Sequence, residues 1–140
     1  MTPEQLCQRT RRFAVDSIRF CQKLPRTEEG RVIQRQLLRA STSVGAHYRA
    51  VCRCRSDADF IAKLGTAIEE ADEAGYWLEI LVEAAITSTS VAKPLLREAD
   101  ELTRIFVASR ETARQNARLR KQKKRDGRIG NQESRIKNHE

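Results

Sequence analysis

Proline and glycine are scarce in this chain, with three and six respectively among 140 residues, so little in the sequence forces the backbone to turn. No stretch shows the two-residue alternation of a half-buried strand. Long apolar runs are missing too, and none approaches the roughly 20 residues a membrane span needs. The opening MTPEQLCQRTRRF is broken by charge before the apolar segment of a secretory signal could form. A cytosolic protein without a membrane partner is therefore expected. Its four cysteines, Cys7, Cys21, Cys52 and Cys54, are expected to be free thiols rather than a disulfide framework. A hydrophobic content of 39% allows one domain with a modest core.

What the chain does have is charge, unevenly placed. The net charge is +8, yet residues 1–55 hold 12 Lys/Arg against 4 Asp/Glu, residues 56–113 hold 5 against 12, and residues 114–140 hold 10 against 3. The first two segments nearly cancel, which suits them to attract each other within one chain or between copies. The surplus lies at the C-terminus. We accordingly divide the chain into a folded body, residues 1–113, and a basic extension with a tail, residues 114–140.

Helical periodicity runs through the body. Leu6, Phe13, Ser17, Phe20 and Leu24 share one side of a first helix that begins after Thr2-Pro3 and ends before Pro25. Thr27 can cap a second helix reaching about Cys54, and Ser56 a third reaching about Ile86. TSTS then breaks the pattern, and a fourth helix is expected from near Val91, with Pro94 in its first turn and Leu95, Ala99, Leu102, Phe106 and Ala113 on one face. Four amphipathic helices with short connections predict an all-α fold, an antiparallel up-down-up-down four-helix bundle.

On a wheel of 100° per residue the second helix has two faces. Ile33, Leu37, Ala40, Val44, Tyr48 and Val51 form a core stripe, and Arg31, Arg35, Arg39, Arg49 and Arg53 lie opposite. Ser43 and His47 fall on the boundary, where a polar side chain can reach a neighbouring helix. The third helix sets Phe60, Leu64, Ala67, Ala71, Leu78, Val82 and Ala85 towards the core. Its acids, Glu69 and Glu73 among them, occupy a polar face, and Tyr76, Trp77 and Ile80 also project away from the core stripe. Large apolar groups clustered there imply a second buried surface, which could face another helix of the same bundle, but a contact between copies explains both the aromatic residues and the juxtaposed charge, since interfaces enrich aromatic residues. Glu69, Glu73, Tyr76, Trp77 and Ile80 are therefore assigned to contact between copies.

Catalytic and metal chemistry find little support. Cys52 and Cys54 are two residues apart on a helix, which points their thiols about 200° away from each other, and no second Cys/His pair stands at zinc-finger spacing. The positions three before His47 and His139 are Val44 and Ile136, so the Glu-x-x-His signature of bundle di-iron sites is lacking. No Gly-rich phosphate loop or readable nucleophile and base occurs. The reading is a protein without catalytic residues, metal or cofactor.

The strongest cue to a partner is RLRKQKKR, in which Arg118, Arg120, Lys121, Lys123, Lys124 and Arg125 are cationic. Such a run binds phosphates without reading sequence, and its affinity falls steeply with salt. The following DGRIGN is expected to end the helix and leave a disordered tail. The alternative reading of the run is solubility alone.

A resemblance rests on the stretch QLLRASTSVGAHYRAVCRCRSDADFIAKLGTAIEEADEAGYWLEIL, with KLP upstream. Its specific elements are Arg39-Ala40, Ser43-Val44, Ala46, Tyr48-Arg49-Ala50, Arg55-Ser56 and Asp59-Phe60. Over roughly residues 10–113 the chain resembles the bacterial four-helix-bundle family that includes proteins encoded in intervening sequences of large-subunit ribosomal RNA. That resemblance implies the bundle fold. More distantly it extends to accessory proteins of diversity-generating retroelements, which implies a ring-like homo-oligomer, a pentamer in those relatives, with a basic surface towards nucleic acid. The family pattern has Asn where this chain has His47, and a protonated imidazole there is expected to weaken packing below about pH 6.

Two functional readings follow. In one, the five arginines of the second helix and the C-terminal cations form a surface for structured RNA or DNA. In the other, the chain is a protein-interaction scaffold or accessory subunit, the arginines are used in self-assembly, and the exposed surface docks a protein partner.

Overall fold

A computed structural model describes residues 1–139. Each helix starts where a hydroxyl can satisfy free N–H groups. Helix α1 (Pro3–Gln22) is capped by Thr2, whose hydroxyl accepts from the Gln5 N–H while the Gln5 side chain accepts from the Thr2 N–H. Thr27 caps α2 (Glu28–Val51), Ser56 caps α3 (Asp57–Glu83) and Ser88 caps α4 (Thr89–Lys137). The helices pack in chain order, α1 on α2, α2 on α3, α3 on α4, with a lighter contact closing α4 on α1. This is the expected four-helix bundle.

The core is built from the apolar stripes. Phe13, Leu37, Val44, Leu64, Leu78, Leu102 and Phe106 are all buried. Tyr48 and Phe106, from diagonally opposed helices, stack with ring centroids 5.3 Å apart. Buried hydroxyls are satisfied locally: Thr10 donates to the Cys7 carbonyl and Ser17 to the Phe13 carbonyl, both at 2.8 Å. Gly45 lets α1 approach α2, since a Cβ there would lie 3.1 Å from Thr10 Oγ1.

Besides α2, which ends at Val51 rather than near Cys54 and leaves Arg53 in the turn after it, three boundaries differ from expectation. First, α3 stops at Glu83, because Ala85 adopts a left-handed φ of 57° and the Ile86 and Thr87 N–H groups both turn back to the Leu81 carbonyl. Ala85 is thus exposed, and Ala74 and Leu81 complete the buried stripe instead. Second, α4 begins at Thr89, which puts Pro94 in the second turn. Its missing N–H deprives only the Ser90 carbonyl, at an exposed residue open to water. Third, DGRIGN does not end α4. The helix continues through Gly127 and Gly130 to Lys137, where the sequence reading expected a disordered tail.

The reason for the third difference is energetic. Glycine disfavours a helix by about 1 kcal/mol relative to alanine but does not block it as an internal proline does. Gln122 donates to Asp126 at 3.2 Å, one turn on, and Arg135 and Lys137 suit the negative C-terminal end. At about 1.5 Å per residue, α4 is roughly 73 Å long. Every residue from Arg118 to His139 is exposed.

Candidate nucleic-acid interface

Because its core stripe is pinned inside the bundle, the opposite face of α2 must look outward. Arg31, Arg35 and Arg49 lie there, with Arg53 in the turn that follows the helix, all exposed and without an ion pair among the described residues. From Arg31 to Arg49 the row extends over about 27 Å along the helix. Arg39 behaves differently. It sits nearer α3, where its guanidinium pairs with Glu73 and, at 3.3 Å, with Glu70. The hydrogen bond to Glu73 holds the Arg39 guanidinium above its ordinary pKa, and the same bond, aided by donation from Trp77 Nε1, holds the Glu73 carboxyl below its own. Arg39 thus joins α2 to α3 within one chain.

The boundary residues also resolve. Ser43 donates to the Arg39 carbonyl at 2.6 Å, a bond within its own helix and not to a neighbour. His47 faces α3, its Nε2 4.0 Å from Glu70 Oε1.

The outer side of α3 carries Glu69, exposed, and Tyr76, 51% exposed, with Ile80 half-buried beside them. Tyr76 meets Trp77 edge to face at 4.9 Å. Trp77 packs against the core and, like Glu73, is engaged within the chain. Of the residues assigned to contact between copies, Glu69, Tyr76 and Ile80 are the ones the fold leaves facing outward.

On α4 the cations Arg118, Arg120, Lys121, Lys123, Lys124 and Arg125 are all exposed, and at 100° per residue they surround the helix. The root of this extension is attached to the bundle. Arg120 forks onto Asp57 at 2.5 and 2.6 Å, and that bond raises the guanidinium pKa. Beside it Asp57, Ala58, Ile61, Ala117, Lys121 and Lys124 border a cleft of about 480 Å³.

Sequence reasoning passed over the cations of α1. Arg11, Arg12, Arg19 and Lys23 are exposed, off the Leu6–Phe13–Phe20 stripe, and that displacement was the available signal. Arg12, Arg19 and Lys23 edge a groove of about 420 Å³ between α1 and α4 with Phe13, Phe20 and Leu95 along it. Arg9, by contrast, pairs with Glu98 at 2.6 Å and Glu101 at 2.9 Å on α4, and the hydrogen bond to Glu98 raises its pKa.

Among the described residues no three His, Cys, Asp or Glu side chains are grouped to hold a metal ion. None of the described helices is long and apolar enough to cross a membrane. Residues 4–108 match the family described as 23S rRNA-intervening sequence protein. A crystal structure of a protein of unknown function from the S23 ribosomal protein family of Bacteroides thetaiotaomicron is similar, with 28% identity and a TM-score of 0.73 over 79% of this chain and 99% of that one. No functionally curated protein matches significantly.

Proposed function

The chain belongs to the 23S rRNA-intervening sequence protein family, and from that premise we propose that it is a non-enzymatic, cytoplasmic homo-oligomer that binds structured RNA or DNA. The observation that carries this reading is the row Arg31, Arg35, Arg49 and Arg53, exposed and free of ion pairs among the described residues. A row of guanidinium groups on a rigid helix can follow a phosphate backbone without reading bases, and each neutralised phosphate releases counterions. The cations of α4 add a second surface of the same chemistry. Self-association is supported by Tyr76, whose ring is half exposed on an acidic helix face while α1 carries the exposed cations Arg11, Arg12 and Arg19. A contact between those unlike faces would be heterologous, the kind that closes rings.

The test is the full chain with Arg31, Arg35, Arg49 and Arg53 all changed to Glu, compared with the wild type by native mass and by binding to a structured RNA. Unchanged mass with at least a tenfold weaker affinity supports the proposal. A smaller assembly would mean that the arginines serve contact between copies, and the accessory-subunit reading would replace it.

A further inference from the structure

Two cysteines that are 45 residues apart in sequence are brought together by the fold: Cys7 Sγ on α1 and Cys52 Sγ at the C-cap of α2 are 3.8 Å apart. Both are reduced in the structure, and both are accessible, Cys52 exposed and Cys7 partly so. Burial, followed by the neighbouring Cys52 thiol, pushes the Cys7 thiol above its ordinary pKa. Arg49 and Arg53 flank Cys52 in sequence, one on the last turn of α2 and one just after it, both exposed, so the site sits in positive potential. Cys21 is buried apart from this pair, its pKa pushed up to about 11 by burial, and the Cys54 thiol turns back to the Ala50 carbonyl.

We propose that Cys7 and Cys52 are an oxidisable dithiol, a modification site at which an anionic low-molecular-weight disulfide installs a reversible cross-link between α1 and the end of α2. The exposed Cys52, as thiolate, attacks one sulfur of the small disulfide, forming a mixed disulfide and releasing one small thiolate. Cys7, as thiolate, then attacks Cys52 Sγ, forming the Cys7–Cys52 bond and releasing the second. Two protein thiols lose two protons and two electrons, and the small disulfide is reduced to two thiols. The cross-link closes a long loop and ties the first helix, which packs only lightly on α4, to the far end of its neighbour.

The experiment treats the full chain with glutathione disulfide, then alkylates in denaturant and measures intact mass. The expected product is monomeric in covalent mass, two hydrogens lighter, with two of four cysteines alkylated and a Cys7–Cys52 peptide on digestion. Its melting temperature should rise by about 5–10 °C, reversed by dithiothreitol. Cys7→Ser should retain one glutathione on Cys52, because the resolving thiol is gone. Cys52→Ser, at an exposed position that should leave folding intact, should form no internal cross-link. Four alkylated cysteines after treatment, a Cys52–Cys54 link, or disulfide-joined dimers would each overturn the proposal.

Discussion

Helix α2 and the far half of α4 are both cationic helices, yet they are held in opposite ways. In α2 a buried stripe fixes the rotation of the helix, so Arg31, Arg35 and Arg49 can only face outward in one row, which Arg53 continues in the turn after it. Beyond Arg118, α4 buries nothing, and its cations surround the axis. The difference shows what a core contributes to a binding surface. It converts charge into a directed pattern, whereas an unsupported helix offers charge in every direction and adds affinity without orientation.

The comparison breaks most sharply on stability. Phe106→Ala removes a buried ring stacked on Tyr48 and should cost about 3–5 kcal/mol, lowering the melting temperature by about 10 °C or more. Leu119→Ala, at a residue 60% exposed, should stay within about 0.5 kcal/mol. Thermal denaturation of the two variants checks the contrast, and equal losses would mean that the extension packs on something.

Binding should separate the regions next. Removing residues 114–140 should weaken structured-RNA binding by about 100-fold near 150 mM salt and reduce the salt slope, with the melting temperature of the bundle unchanged. Arg35→Glu with Arg53→Glu should cost about tenfold and leave the native mass as it is, a split measured by anisotropy alongside native mass spectrometry.

The smallest effect concerns Arg39, whose charge is spent inside the bundle. Since the Glu73 carboxyl is held below its ordinary value, its contribution to stability is present above the unfolded carboxylate pKa of 4.5 and disappears as pH falls through the lower folded value. The melting temperature should therefore be insensitive to this pair between about pH 7 and 5 and decline below about pH 4.5, with Glu73→Gln about 1–2 °C lower at neutral pH and flatter in acid. Arg39 is about half exposed and Glu73 about a third, which keeps the effect small.

The fold was legible because four stripes, such as Leu37, Ala40, Val44, Tyr48 and Val51, repeat at helical spacing and three of the helix starts carry their cap residue in view. The end of α3 escaped detection because Ala85 takes a left-handed conformation that sequence rarely advertises. Gly127 and Gly130 misled because propensity is a cost and not a prohibition. At the candidate site the α2 arginines were visible as a stripe, but which of them is used up was not. That depends on Glu70 and Glu73, more than 30 residues away, reaching Arg39 across a helix interface. The meeting of Cys7 with Cys52 is non-local in the same way.

The central claim is that the α2 row is an open cationic surface with the α4 extension as its auxiliary. It is tested most directly by fluorescence anisotropy of a structured RNA with the full chain and with residues 1–113, across about 50–300 mM salt. The account predicts that both bind, each more weakly as salt rises, with the shallower slope for the truncated chain. A truncated chain that fails to bind even at the lowest salt would contradict it, leaving the arginines of α2 to assembly and the extension as a nonspecific anchor.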